Sequence, residues 1–219
     1  MNRLKRKFYS LLDKPQGSFG VWLGGHREYV GGLWDQMGKL QFDFMVEAGL
    51  KPEHVFLDAG CGALRGGRHF IAHLNRGNYL GLEKERGLVS AGVRAELGQA
   101  MLRDKAPELV ISGSFEFERF SKQPEFALAQ SLFTHLTAGD IKLCMTRLRQ
   151  FVNPGTRFYA TFQIGEAEGD NPTRSHAHRG FCYSRETAEQ FGRDAGWRAR
   201  YIGDWRHPRG QKMVEYVAD

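Results

Sequence analysis

Apolar residues along this chain fall into two rhythms, short continuous runs and amphipathic stretches, and from about residue 54 the two alternate. The runs at 54–58, 78–83, 108–112, 126–131, 157–163, 198–204 and 212–217 predict strands, and the stretches at 66–74, 85–102, 139–151 and 184–195 predict helices. Strands alternating with helices imply a mostly parallel sheet covered on both faces. Only residues 204–211 join the last two strands. That is too short for a parallel crossover, so the two must pair as an antiparallel hairpin. Upstream, Leu33, Met37, Leu40 and Phe44 recur at helical spacing and predict a helix over 33–48, stopped by Gly49 with Pro52 just beyond. The chain divides on this reading into an N-terminal helical extension, 1–53, and an α/β domain, 54–219.

Residues 16–32 follow neither rhythm. Glycines there are interspersed with Phe19, Trp22, His26 and Tyr29, and Trp34 follows closely, which suggests a lid that folds over something. Earlier still, Arg3, Lys5, Arg6 and Lys7 combine with Leu4, Phe8, Leu11 and Leu12 in a basic amphipathic pattern. It suits a solvated helix packed by its apolar side, or one that meets a membrane surface or an acidic partner. With 219 residues, 41% hydrophobic content and 16 Phe, the chain can bury one large core. No apolar run approaches the roughly 20 residues of a bilayer span, and no secretory-type apolar segment opens the sequence. Cys61, Cys144 and Cys182 are scattered and lack a CxxC pair, which fits a reducing cytoplasmic setting and argues against disulfides or structural zinc. The net charge of +6 raises the question of nucleic acid, but beyond the N-terminal run it is spread along the chain.

The densest chemical signal is Val55-Phe56-Leu57-Asp58-Ala59-Gly60-Cys61-Gly62, an apolar strand ending in an acid and a glycine turn. A helical stretch follows with Phe70, Ile71 and Leu74 on one face, and the next strand, Tyr79-Leu80-Gly81-Leu82, ends at Glu83. Strand, glycine turn, helix, strand and acid is how an α/β sheet holds a nucleoside. The glycines let backbone approach the ligand, and the second acid can accept both ribose hydroxyls. A dinucleotide dehydrogenase competes for the pattern. Its fingerprint, however, needs glycine where Arg65 stands, and a C-terminal hairpin does not suit its parallel sheet.

Together with Phe126-Ala127-Leu128-Ala129-Gln130-Ser131-Leu132-Phe133-Thr134-His135-Leu136, these features resemble class I S-adenosylmethionine-dependent methyltransferases over about residues 54–219. One departure is Leu64, which replaces the third glycine of the usual turn, with Gly66 and Gly67 just after it; a wider turn is expected. The resemblance implies an α/β, Rossmann-like fold. Its mostly parallel seven-stranded sheet would be flanked by helices and carry a C-terminal antiparallel hairpin and a helical N-terminal lid. It also implies S-adenosylmethionine as methyl donor. Asp58 would order the turn and help hold the methionine amino group, while Gly60, Cys61 and Gly62 lie against the donor. Glu83 would take the ribose hydroxyls, and Ser114 and Phe115 would sit near the adenine. Ser131 and Phe133 would line the methionine side and the acceptor pocket.

Methyl transfer from a sulfonium is an in-line displacement, so alignment dominates, and a base is needed only if the acceptor must lose a proton. His135, just after the fourth strand, is the first candidate base, followed by His26 and Tyr29. Trp22, Tyr29 and Trp34 could face the sulfonium or an apolar acceptor. The long loop 165–180 contains His176 and His178, candidates for acceptor binding. Their spacing matches no specific metal motif, so no metal site is expected. The fourth strand ends in Gln130-Ser131-Leu132-Phe133, not the Asn/Asp-Pro-Pro-aromatic run of enzymes that methylate base amino groups. A small-molecule or peptide-borne acceptor is therefore expected. An RNA methyltransferase using the basic N-terminus, and a donor-binding domain without catalysis, are the alternatives.

Overall fold

Phe56 to Ala59 form β1, and all its residues are buried, as a strand in the middle of a two-sided sheet must be. The structure is a computed structural model that describes residues 15–219; the basic run at residues 3–7 lies outside them. Around β1 stand β2 (Tyr79–Glu83), β3 (Glu108–Ile111), β4 (Phe126–Ala129), β5 (Arg157–Gly165), β6 (Cys182–Ser184), β7 (Trp197–Asp204) and β8 (Lys212–Ala218). The sheet runs β3-β2-β1-β4-β5-β8-β7, with β6 paired to β5 off this path. β1 to β6 are joined by parallel pairings. β8 runs antiparallel to both β5 and β7, so the expected closing hairpin is present. The strand missing from the sequence reading is β6: three residues are too few to show a period.

Side chains alternate across the sheet and build a core on each face. Leu57, Ala59, Ala127 and Ala129 join Ile141, Met145 and Leu148 of one helix and Ala188 and Phe191 of another. These helices are α7 (Ala138–Phe151) and α8 (Arg185–Asp194). Phe56, Phe126 and Leu128 face the other way, toward Met37, Met45, Phe70 and Ile71. That layer contains α3 (Trp34–Glu47) and α4 (Gly67–His73). The helix expected over 85–102 is instead α5 (Arg86–Gly92), a π turn at Val93–Leu97, and α6 (Gly98–Lys105). Gly98, at φ +73°, is where the helical path resets.

The segment ahead of α3 is helical as well, forming α1 (Gly17–Gly24) and α2 (His26–Tyr29). Val21, Tyr29 and Trp34 pack there with Ala63 and Leu88, so the segment covers the carboxyl ends of β1 and β2. A buried carboxylate fixes it. Glu96, in the π turn with its side chain 3% exposed, lies 2.8 Å from His26 Nε2 and accepts from Arg27 Nε at 2.9 Å. Burial opposes its ionisation, but the Arg27 and His26 hydrogen bonds outweigh that and lower its pKa. Glu96→Gln should therefore loosen α1 and α2 by about 1–3 kcal/mol, since a charge-assisted cluster loses its anion. Amide exchange over residues 17–31 is expected to speed up accordingly; unchanged exchange would show that apolar packing alone holds the segment.

Candidate functional site

The glycine turn is tied to the end of β2. Gly60 and Cys61 both donate backbone N–H to the Leu82 carbonyl, at 2.8 and 3.0 Å. Gly60 sits at φ +77°, and a Cβ there would come within 3.0 Å of Leu132, so only glycine fits without strain. Leu64 adopts the left-handed conformation (φ +64°) in place of the glycine usual at that position. The backbone shape a glycine would favour is thus kept, at a cost of about 1 kcal/mol, while the leucine side chain is fully buried.

Glu83 ends β2 and bends back toward this turn. Its Oε2 accepts the Gly62 N–H at 3.0 Å and its Oε1 accepts the Glu85 N–H at 2.9 Å. Each carboxylate oxygen keeps a lone pair for a ligand. Burial raises its pKa, and the backbone N–H groups of Glu85 and Gly62 oppose that rise. Asp58, one strand over, is buried and accepts the Tyr79 hydroxyl at 2.9 Å. Burial pushes its pKa up to about 7; the Tyr79 hydrogen bond works against the shift and the Glu83 charge adds to it.

A second set of groups stands at the end of β4. Ser131 takes φ +56°, donating its N–H to Thr161 Oγ1 at 2.7 Å and its hydroxyl to Gln211 Oε1 at 3.0 Å. His135 Nδ1 lies 2.8 Å from the Arg179 carbonyl, which can only accept, so Nδ1 carries the proton and Nε2 is left basic. Burial lowers the His135 pKa, keeping the ring neutral. The 165–180 loop is stitched to this strand end where His176 donates N–H to the His135 carbonyl at 3.0 Å. Overhead, Arg65 Nη1 donates to the carbonyls of Val30 and Gly32, both at 3.0 Å, and its Nη2 to Gln130 Oε1 at 2.9 Å. One guanidinium thus joins the covering segment to the end of β4.

These pieces enclose a cavity of about 610 Å³ at the carboxyl edge of the sheet. Asp58, Gly60, Cys61, Gly62 and Glu83 line it on one side, with Phe115 beyond. Ser131, His135, His176 and His178 line the other, and Tyr29 closes it from above. Other residues singled out from the sequence lie elsewhere. Ser114 is not in the wall, which Ser112 and Gly113 form; its carbonyl accepts Arg147 Nη1 at 2.7 Å. Phe133 is fully buried in the core against Phe158 and Phe162, and the neighbouring Leu132 lines the cavity instead. His26 is engaged by Glu96, and Trp34 is buried with its ring edge-on to His26. Trp22 is 62% exposed and stacks on Phe19. None of these last three lines the cavity.

The wall also contains residues given no ligand role by the sequence, notably Arg65, Gln130, Arg209 and Gln211. In sequence Arg65 stands out only as a missing glycine, and residues 204–211 only as a hairpin connection. Among the described residues no group of His, Cys, Asp or Glu is arranged to hold a metal ion, and no helix is long and apolar enough to cross a membrane.

Neither a family model nor a curated protein matches the chain. Solved structures do. The glycopeptide N-methyltransferase MtfA, complexed with S-adenosyl-L-homocysteine, is similar over 84% of this chain and 90% of its own, with a TM-score of 0.66 and 16% identity. The magnesium protoporphyrin IX methyltransferase ChlM of Synechocystis PCC 6803, with bound S-adenosylmethionine, covers 100% of this chain and 99% of its own at TM-score 0.62 and 13% identity. DesVI of Streptomyces venezuelae covers 91% and 95%, at 0.62 and 14%. At these identities the likeness establishes the fold: the chain has the class I S-adenosylmethionine-dependent methyltransferase fold.

Proposed function

We propose that the chain is an S-adenosylmethionine-dependent methyltransferase whose acceptor is a small molecule or a peptide-borne group. The observation that carries this reading is Glu83: a buried carboxylate at the end of β2, held open by the Gly62 and Glu85 N–H groups on the wall of a closed-over cavity. A ribose diol fits such a group, because two adjacent hydroxyls can donate one to each oxygen. The glycine cradle at Gly60, where a Cβ would collide, leaves backbone against which the donor's amino-acid arm can lie. Asp58 faces the same space and suits an ammonium group, and Phe115 offers a ring face for a base.

When bound, S-adenosylmethionine supplies a sulfonium methyl whose S–C bond breaks, its electron pair passing to sulfur, as the acceptor atom bonds the carbon. The chain's part is alignment, exclusion of water beneath α1 and α2, and removal of a proton where the acceptor carries one. His135 suits that last role, being neutral with its Nε2 lone pair available. The histidines of the 165–180 loop, His176 and His178, would contact the acceptor, as would Tyr29 from above.

The Asp58 carboxyl makes the reading sensitive to pH. Its raised pKa means the folded chain holds a proton there that the unfolded chain has lost, so unliganded stability should fall as pH rises from the ordinary carboxylate range through about 7. An ammonium ligand favours the ionised form, so binding near pH 6.5 should expel that proton. Calorimetry in buffers of different ionisation enthalpy should register the release with S-adenosylhomocysteine, and Asp58→Asn should abolish it. Titration with S-adenosylmethionine, S-adenosylhomocysteine and NAD tests the function itself. Dissociation constants in the micromolar range, about −8 kcal/mol, are expected for the two sulfur nucleosides alone. Binding of NAD in their place would overturn the proposal.

A further inference from the structure

The sheet order divides the cavity. The ends of β1, β2 and β3 provide Asp58, Glu83 and a wall of Ser112, Gly113 and Phe115, which the donor would fill on the reading above. The segment after β4 and the loop between β7 and β8 provide Gln130, Ser131, His135, Arg209 and Gln211. On that reading a ligand group in this second half, beyond Ser131 at the methionine side, belongs to the acceptor. Two guanidiniums stand at its border, and among the described residues every acceptor they use is neutral. Arg65 gives N–H groups to the Val30 and Gly32 carbonyls and to the Gln130 amide, three of its five donors. Arg209 gives one to the Gly31 carbonyl.

Unpaired cations are costly to keep in a half-closed space. Arg65 is 9% exposed, and burial, followed by repulsion from Arg209, pushes its pKa down to about 10. The same two charges, after burial, push the neighbouring His207 down to about 4. That ring is therefore neutral, and its Nδ1 accepts the Arg209 backbone N–H at 3.1 Å. Asp58 is the nearby acid, but its own carboxyl is drawn toward the neutral form. The corner has excess positive charge, free guanidinium donors and a loop braced to aim one of them.

We propose that Arg65 and Arg209 form a seat for an anionic group carried by the methyl acceptor, a carboxylate or a phosphate. Guanidinium forks match the planar or tetrahedral oxygens of such groups, and an anion between the two would offset their mutual repulsion. Acceptors without an anion would leave the buried Arg65 charge uncompensated, with the more exposed Arg209 still beside it, so the seat also selects against neutral analogues. This inference rests on the donor assignment, because that assignment decides which half of the cavity is left for the acceptor.

Inorganic phosphate and succinate are suitable probes, titrated into the S-adenosylhomocysteine-saturated chain at constant ionic strength and followed by NMR line broadening. Arg209→Gln should weaken both at least tenfold, Arg209→Lys should recover most of the loss, and S-adenosylhomocysteine affinity should be unchanged in both variants. Equal phosphate and succinate binding in the wild-type and Arg209→Gln chains would overturn the seat. A second outcome would also overturn it as an acceptor site: tenfold weaker S-adenosylhomocysteine in Arg209→Gln with unchanged methylthioadenosine, which lacks the amino-acid arm. The anion held there would then be the donor's own carboxylate. Failure of the wild-type chain to bind S-adenosylhomocysteine at all would instead strike the donor reading and the word acceptor with it. Phosphate titration of the unliganded chain would still decide whether the seat exists.

Discussion

Glu83→Ala is expected to weaken S-adenosylhomocysteine binding by about 2–3 kcal/mol, roughly 30- to 150-fold, because two buried hydroxyls lose an ionised acceptor. Part of the loss will come from the protein itself. The Glu83 carboxylate also receives the N–H groups of Gly62 and Glu85, so its removal frees the glycine turn as well as the ligand. Glu83→Gln separates the two contributions. Its carbonyl can still accept one backbone N–H, but its amide presents a donor where a hydroxyl would donate. An affinity loss in Glu83→Gln with little change in thermal unfolding assigns the effect to the ligand. Undiminished affinity in both variants would remove the ribose assignment.

His135→Ala should cut turnover by about 10²- to 10⁴-fold with any acceptor that loses a proton, while donor affinity stays within about twofold. The pH profile gives a second readout. Burial lowers the His135 pKa, so the basic form persists through neutrality and the wild-type rate should fall only as pH drops below the ordinary histidine range of about 6.5. That acid limb should vanish in the variant. Because the His135 ring also ties the 165–180 loop through its Nδ1–H bond to the Arg179 carbonyl, a parallel fall in donor affinity and turnover would indicate a structural role.

Much of the sheet was legible because strands buried on both faces are continuous apolar runs: β1, β2, β4 and β5 begin within two residues of their expected starts. The antiparallel closing pair followed from the short 204–211 connection alone. The glycine turn and Glu83 were legible because their chemistry is local in sequence. What was not legible is long-range. Arg65 meets Gln130 across 65 positions, and nothing near either residue announces it. Phe133 follows the right strand but turns into the core, because the 3₁₀ turn at Phe133–His135 fans its side chains about 120° apart, so Phe133 and His135 face different ways. His26 and Trp34 belong to an aromatic-rich segment whose composition suggested ligand contact, whereas their partners are Glu96 and one another.

The division of the sheet edge also has a consequence for descent. On the proposed reading, the donor-facing groups lie between residues 58 and 115, and the acceptor-facing groups of the sheet lie between 130 and 211. The chain passes from one set to the other only once, through the turn at Phe117–Arg119 and the entry to β4. A lineage can therefore trade its second stretch, by recombination or by drift, and acquire a new clientele while inheriting its methyl source intact. Tyr29 reaches the acceptor side from outside both stretches, and Arg65 stands in the first stretch yet grips Gln130 in the second, so any such exchange must keep that handshake or repair it.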